Sequence, residues 1–342
     1  MDEIMVSVIC LAYNHEKYIR RCLDGFVMQK TSFRFEVLVH DDASTDRTAD
    51  IIREYEVKYP EIINPVYQTE NQYSKHVGIS KTFLLPKVRG KYIAWCEGDD
   101  YWNDKSKLQL QYEAMERNPD CSLCVHRVQG ISEEGEYINN NLIPNNRMRV
   151  LAGKIEQNDF FSIMVKGDGH PFQTSSHFVR ASRYLEFVNN PPEFKCASDV
   201  GDTPKLLFFG NDGPVYYIDD VMSCYRIGAI GSWSTRMASD REKNLVHIRA
   251  MINMYQLFND YTNNAYEQYI EKLIESYSFY EKQLSLSSKD FLSYSIKENR
   301  LKYPKTHRLR FYTSLVLVAY FPALLTLLLN VKRRVKQNGK NK

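Results

Sequence analysis

The sequence predicts an α/β protein built on a mostly parallel, doubly wound sheet, with a C-terminal helical extension and a hydrophobic C-terminal helix. Three observations lead there. Short β-branched runs alternate with helix-periodic stretches through the first 120 residues, the order that places helices between parallel strands. The apolar runs stop abruptly at polar motifs, Tyr13-Asn14, Asp41-Asp42 and Asp99-Asp100, and ligands of such sheets lie outside the carboxyl ends of the strands. After about residue 231 the apolar residues recur at the 3- and 4-residue intervals of packed helices.

The first element is residues 5–12 (MVSVICLA), a short apolar run closed by Tyr-Asn and read as a buried strand. Residues 15–29 carry Tyr18, Ile19, Cys22, Leu23 and Phe26 at helical spacing. Residues 35–40 (FEVLVH) make a second strand; Ser44 or Thr45 can cap a helix over 46–58, whose Ile51, Ile52 and Tyr55 share a face. A weaker strand at 65–68, a helix near 78–86 and a fourth strand at 91–96 (KYIAWC) lead into EGDDYW. A helix is predicted over 103–117, then strands or loops at 121–128 and 137–143. Strands follow at 160–165, 175–179 and 215–218, with a helix over 203–209 between the last two. Residues 238–285 read as a helical hairpin through Leu245, Ile248, Ile252 and Tyr255, then Tyr266, Tyr269, Ile270, Leu273 and Tyr277. The expected divisions are a sheet domain at 1–230, a helical extension at 231–304 and a hydrophobic segment with basic flanks at 305–342.

Composition removes several classes. A chain of 342 residues, 43% hydrophobic and 25% charged, can bury a core and is neither disordered nor collagenous. Its net charge of +3 hides an asymmetry. Ten Lys/Arg and no Asp or Glu fall from Lys302 onward, leaving 35 basic against 42 acidic side chains before it, a net −7. A nucleic-acid protein carries its basic surface on the folded domain, so no nucleic-acid partner is expected. Seven scattered cysteines fit the reduced thiols of a cytosolic compartment. Cys121 and Cys124 have zinc-like spacing but no second pair. The N-terminus shows no basic leader or cleavage site of a signal peptide. G-x-S-x-G, G-x-G-x-x-G and P-loop motifs are missing, which sets aside hydrolase, dinucleotide and NTPase readings.

Residues 311–331 carry no charge over 21 positions, long enough to cross a bilayer. Lys305, Arg308 and Arg310 precede this run, and Lys332, Arg333, Arg334 and Lys336 follow it. With a cytosolic body, a single span would export a cationic tail against the positive-inside rule, and Pro322 favours a kink. The expectation is peripheral or monotopic attachment to the cytoplasmic face of a membrane, a buried C-terminal helix being the alternative.

EGDDYW sets Glu97, Asp99 and Asp100 within four residues behind an apolar strand. Clustered carboxylates suit a hard divalent cation, which takes one or two of them and completes its shell with phosphate and water. Gly-Asp-Asp also makes turns.

Three segments in order, VSVICLAYNHEKYIRRCLDGFVMQ, EVLVHDDASTDRTADII and GKYIAWCEGDDYW, resemble the family 2 glycosyltransferases of the GT-A fold over about residues 4–230. The resemblance implies a Rossmann-like GT-A domain. It also implies inverting transfer of a hexosyl or N-acetylhexosaminyl group from a nucleotide sugar, a UDP-sugar, to a glycan or lipid-linked acceptor in cell-surface polysaccharide synthesis. By the same resemblance Tyr13, or its neighbours Ala12 and Asn14, packs on the nucleotide base, and Asp42 bonds the uracil. Asp99 and Asp100 hold Mn2+ or Mg2+ on the diphosphate, Asp99 also touching the donor. Glu97 stands where a first Asp is common. Arg226, in Tyr225-Arg226, matches a diphosphate clamp, with Gly228 where a His is usual. The family's base is an Asp opening a late helix. ASDVGDTPKLLFF offers Asp202, followed at once by an apolar helix, or Asp199, and an Asp before Thr-Pro also caps helices. His170 is a candidate acceptor-site residue, with His177 near it in sequence. The alternative from another class is a non-catalytic nucleotide-sugar-binding or scaffold subunit on the same fold.

Overall fold

Strand β1 (Ile4–Ala12) is buried on both faces, Val6, Val8, Cys10 and Ala12 on one and Ser7 and Ile9 on the other. A strand apolar on both sides needs cover on both sides, and that makes β1 the axis of the sheet. In this computed structural model the described residues are 3–229, 232, 237, 240–287 and 290. The hydrophobic run at 311–331 lies outside them. The chain continues with α1 (Ile19–Val27), β2 (Arg34–Asp41), α2 (Thr48–Lys58), β3 (Ile63–Tyr67), β4 (Tyr92–Trp95) and β5 (Tyr101–Trp102). Then come α3 (Lys107–Arg117), β6 (Leu123–Ile131), β7 (Tyr137–Ile143), β8 (Gly153–Ile155), α4 (Gln157–Lys166) and β9 (Phe178–Arg180). The remaining elements are α5 (Ala181–Asn189), α6 (Glu193–Ala197), α7 (Asp202–Asp212), β10 (Val215–Arg226), α8 (Arg241–Tyr261) and α9 (Glu267–Ser285).

The strand order is β3-β2-β1-β4-β9-β6-β10-β5, with β7 on β6 and β8 on β10. The first four strands pair in parallel, and so do β6 and β10. Between these blocks β9 runs antiparallel to both β4 and β6. Helix α1 turns Ile19, Cys22, Leu23 and Phe26 inward and approaches β5 so closely that a Cβ on Gly25 would stand 2.7 Å from the Trp102 carbonyl oxygen. Buried Glu36 accepts from Ser7 Oγ (2.6 Å) and from Arg89 N (3.0 Å) and Nε (2.8 Å), so this carboxylate is paired and bonded.

Several elements differ from expectation. Residues 160–165 are predicted as a strand, yet they lie inside helix α4. Phe160, Phe161, Ile163 and Met164 are all buried; their 1, 3, 4 spacing is helical, and six residues are too few to separate the two periods. The helix expected at 78–86 is two irregular turns, Ser80–Leu84 and Leu85–Lys87. The strand at 175–179 shrinks to β9, behind a tight turn at Thr174–Ser176. β5, β8 and α5 are not foreseen.

Met1–Asp240 and Ala250–Ile274 form one compact unit, in which Tyr266 stacks on Phe161 at 4.0 Å. Arg241–Arg249 and the chain from Glu275 form the other, where Arg249 pairs with Glu281 at 2.7 Å. Among the described residues no helix is long and apolar enough to cross a membrane.

Lys107, in the first turn of α3, is fully buried. Its Nζ stands 4.0 Å from the Trp102 ring centroid and donates to Gln111 Oε1 at 2.6 Å. Burial pushes this amine down to about 7 from an ordinary value of 10.5. Between those limits the unfolded chain binds a proton that the folded one does not, so this group makes stability rise with pH across that window. Lys107→Met, which suits the apolar slot, is expected to add roughly 1–2 kcal/mol at pH 7 and to remove that rise. Urea unfolding of both proteins at pH 7 and 9 checks it; identical pH slopes would refute it.

Candidate active site

The polar ends of the parallel strands meet on one rim. After Ala12 ends β1, Asn14 takes a left-handed backbone (φ 55°), and Tyr13 is left 43% exposed. Asn14 Oδ1 accepts from Thr45 N at 2.8 Å while its own N–H donates to Ser44 Oγ at 2.9 Å, so the turns after β1 and β2 are laced together. Asp42 is buried. It accepts from Gln72 N on Oδ1 (2.8 Å) and from Tyr73 N on Oδ2 (3.0 Å), pinning the 71–73 loop over this end. Each carboxylate oxygen keeps a second lone pair for a ligand. The pinned loop presents Tyr73, 55% exposed, which sequence reasoning misses.

Beyond β4 the chain continues along β1 through Cys96 N to Ile9 O (3.1 Å) and Gly98 N to Leu11 O (2.9 Å), then closes a turn through Asp100 N to Glu97 O (3.0 Å). Gly98 is required by close approach: a Cβ there would stand 2.8 Å from His15 Nδ1 and 3.1 Å from both Ala12 Cβ and Ile19 Cδ1. Asp100 is buried and its Oδ1 accepts from Arg226 N at 2.8 Å. Arg226, matched by resemblance to a diphosphate clamp, is itself buried. Its Nε donates to Asp99 O (2.9 Å), its Nη1 to Glu133 O (2.6 Å) and Ser132 O (3.2 Å), and the guanidinium lies 4.4 Å over the Tyr18 ring. In this geometry Arg226 is a clasp on the EGDD turn. Gly228, at the position where a His was usual, takes a left-handed φ of 83°.

The third side comes from α7. Asp202 is its first residue, where a carboxylate suits the helix dipole. Its Oδ1 accepts from Thr203 N (2.8 Å), and its Oδ2 stands 2.7 Å from His170 Nε2. One turn on, buried Lys205 sets its Nζ 4.0 Å from the Trp95 ring centroid. Asp199, by contrast, sits exposed on the preceding loop. His177 is a core residue, buried with Nε2 3.3 Å from the Phe172 carbonyl. Sequence reasoning misses Lys205 and His15; the signals were a lysine one turn past the candidate base and a His directly after the Tyr13-Asn14 strand end.

These segments lie within electrostatic reach of one another. Burial, then the charges of Asp99 and Glu97, push the Asp100 carboxyl well up, against the Arg226 amide. Glu97 goes up to about 7 through burial and Asp99, with Asp202 adding and Lys205 opposing. Glu97 is exposed by surface area yet hemmed in by protein, the combination that a side chain in a cleft shows. Burial pushes Lys205 down to about 8, and Asp202 and Glu97 hold it back. Asp202 lies well below the usual carboxylate range: burial opposes its charge, but the His170 charge and hydrogen bond outweigh that.

The carboxylates of the EGDD turn are short of positive charge, which a divalent cation would supply. Among the described residues no group of three or more His, Cys, Asp or Glu is arranged to hold a metal. Two neighbouring carboxylates such as Asp99 and Asp100 are the number that a hard divalent cation takes when diphosphate and water complete its shell. Cys121 and Cys124 are buried thiols, and among the described residues no further His, Cys, Asp or Glu joins them in a group of three.

Comparison with known proteins bears on this cleft. A family model described as Glycosyl transferase family 2 matches residues 7–178, half of the chain. An uncharacterised protein of Mycobacterium tuberculosis is 43% identical over 132 residues, covering 38% of this chain and 37% of its own length. The UDP-Glc:alpha-D-GlcNAc-diphosphoundecaprenol beta-1,3-glucosyltransferase WfgD of Escherichia coli is 29% identical over 143 residues, 42% of this chain and 50% of the relative. The matched stretch thus spans half or less of these relatives. In fold the chain is similar to S. aureus TarS 1-349 in complex with UDP, with a TM-score of 0.56 and 17% identity over 90% of this chain and 78% of that one. It is also similar to the mannosyltransferase PcManGT from Pyrobaculum calidifontis in complex with GDP-Man and Mn2+, with a TM-score of 0.50 and 16% identity over 94% and 82%. Asp202 and Arg226 lie beyond the family match, so their placement at the cleft rests on geometry.

The charge crowding makes a testable statement about the metal-free protein. The folded chain holds the Asp100 proton more tightly than the unfolded one, so this group subtracts stability as pH rises above 3.8. In EDTA, Asp100→Asn is expected to be more stable than the parent at pH 7.5 by roughly 1 kcal/mol, the gap closing toward pH 4. Calorimetry or urea unfolding measures it, and a destabilised variant at pH 7.5 would show that the protein already balances this charge.

Proposed function

The chain belongs to glycosyl transferase family 2, and from that premise we propose that it is an inverting glycosyltransferase. It moves a sugar from a nucleotide sugar, a UDP-sugar, to a hydroxyl of a glycan or lipid-linked acceptor in cell-surface polysaccharide synthesis. The observation that carries this reading is the cleft itself. Glu97, next to the diphosphate-suited pair Asp99 and Asp100, feels the charges of both Asp99 and Asp202, the carboxylate that opens a helix from a distant part of the chain. The UDP bound to one structural neighbour and the UDP-glucose named for one relative favour the donor class.

The residues then divide the work. Tyr13, with Ala12 and Asn14 shaping the turn, gives the base an exposed aromatic face, and Asp42 offers its remaining lone pairs to the uracil edge. Asp99 and Asp100 would hold Mn2+ or Mg2+ against the diphosphate, and such an ion neutralises charge on the leaving phosphate. Asp202 takes the proton of the acceptor hydroxyl as its oxygen attacks the anomeric carbon. The bond to the diphosphate breaks on the opposite face, so the configuration inverts. Lys205 keeps Asp202 and Glu97 together without neutralising either by contact. Asp199, exposed on its loop, is less suited to that task.

Asp202→Asn is expected to lower transfer by roughly 10²–10⁴-fold while leaving UDP affinity within a few-fold. The readout is UDP released from a panel of nucleotide sugars with Mn2+ or Mg2+, beside calorimetric titration of UDP. A variant that retains most of its turnover removes Asp202 from the mechanism.

We further propose that residues 311–331 attach the enzyme to the cytoplasmic face of a membrane, their basic flanks drawn to anionic headgroups at about 1 kcal/mol per Lys or Arg. Deleting residues 305–342 is then expected to move the protein from the membrane pellet to the supernatant. Full-length protein already in the supernatant at low salt defeats the idea.

A further inference from the structure

The contact between His170 and Asp202 joins two segments 32 residues apart, at 2.7 Å between Nε2 and Oδ2. Both side chains keep about a third of their surface open to the cleft (38% and 30%), so the pair is neither a core ion pair nor a surface one. Its geometry is built from both sides. On one, the end of α4 is capped by Gly167 N to Ile163 O (2.9 Å) and Gly169 N to Met164 O (2.8 Å), with Asp168 and Gly169 both left-handed (φ 52° and 84°). This fixed reversal throws His170 back over the cleft. On the other, Thr203 N holds Asp202 Oδ1, and Thr203 Oγ1 stands 3.3 Å from His170 Nδ1. The Gly169 backbone also bonds the ring. Nδ1 can therefore keep its hydrogen for these oxygens, while the 2.7 Å contact at Nε2 is that of two atoms sharing one proton, which either can hold.

Resting on the glycosyl-transfer reading above, we propose that His170 and Asp202 work as one proton-accepting unit: Asp202 meets the acceptor hydroxyl and His170 takes over its proton. The acceptor O–H bond breaks and an O–H bond forms on Asp202. The oxygen's electron pair makes the new bond to the anomeric carbon, and the pair of the broken carbon–oxygen bond leaves on the nucleotide diphosphate. The proton then crosses from Oδ2 to Nε2, leaving imidazolium beside carboxylate. His170 touches no reacting atom and is a positioning residue acting through Asp202.

The surroundings suit this end state. Facing His170 are Asp202 and Lys205 from α7 and His177, the residue between the Thr174–Ser176 turn and β9. Burial and Lys205 work against its charge; Asp202 and the Gly169 backbone favour it and prevail, so the imidazole is raised above its ordinary value. The competent form of the pair is thus neutral His170 with ionised Asp202, which is lost on acidification as the imidazole takes a proton.

The experiment uses full-length protein with UDP-N-acetylglucosamine and UDP-glucose as donors and Mn2+ present, following UDP release against pH. In the parent the acidic limb is expected to lie above the ordinary imidazole value of 6.5. His170→Gln, which keeps a hydrogen bond but cannot titrate, is expected to shift that limb at least one pH unit toward acid and to lower the plateau about tenfold. As a check independent of turnover, NMR titration of the His170 ring, assigned with the Gln variant, is expected to fall by at least one unit in Asp202→Asn. An Asp202→Asn protein without activity, paired with an unmoved limb in His170→Gln or an unmoved ring titration, overturns the dyad and leaves the transfer reading standing. An active Asp202→Asn protein overturns the dyad and removes Asp202 from the mechanism, whereas a parent protein that releases no UDP from any donor overturns the transfer reading.

Discussion

A hydrogen bond from the Arg226 backbone N–H to Asp100 Oδ1 at 2.8 Å helps to hold the rim of the cleft in register. It joins positions 126 residues apart and ties the end of β10 to the turn after β4. The sheet on either side is continuous only through the short, reversed β9. The same junction is reinforced by β5, which follows the turn directly and pairs with Ser223 and Cys224 of β10, and by the Arg226 guanidinium, whose donors end on carbonyls of both segments it crosses. Trp102 of β5 then packs edge-on to Phe26 at 4.9 Å, carrying the constraint into α1 and so to the end of β1. Asp99 cannot shift without disturbing each of these contacts.

The cost of that arrangement is visible in the charges. Glu97, Asp99, Asp100 and Asp202 crowd one cleft, against Lys205 and His170, with Arg226 turned to carbonyls. Desolvated like charges destabilise a fold unless something compensates them, and the apolar packing beneath the turn could have accepted neutral residues. The divalent cation proposed for this turn would supply the missing positive charge. Strain of this kind belongs at functional sites and is offset by the rest of the core.

The first half of the fold was legible because its signals are local. The runs at 5–12 and 35–40 are apolar on both faces and end at polar residues, and those ends proved to be the rim. The place of Asp202 at the start of α7 was legible for a similar reason, a carboxylate set directly before an apolar helix. What failed was also local: residues 160–165 have the composition of a strand and the spacing of a helix, and packing against α7 decided the outcome, Phe160 lying over Gly210. Tyr73, Lys205 and the second role of Arg226 could not be read. Each depends on a partner far along the chain, such as the carboxylate of Asp42 that fixes the 71–73 loop.

The reversed strand explains why the acceptor side is assembled from such distant pieces. Because β9 runs against β4, pairing Phe178 with Ala94 and Arg180 with Tyr92, the chain enters β9 at the carboxyl end of the parallel strands. Residues 170–177 therefore arrive at the rim, whereas a parallel strand in that slot would have delivered them to the opposite edge. Helix α7 precedes β10, which is parallel to β6, and a helix returning for a parallel strand starts at that same carboxyl end. The two approaches bring His170 and Asp202 to one point from opposite sides of the sheet order. One inversion in the strand order thus places an imidazole beside a helix-opening carboxylate.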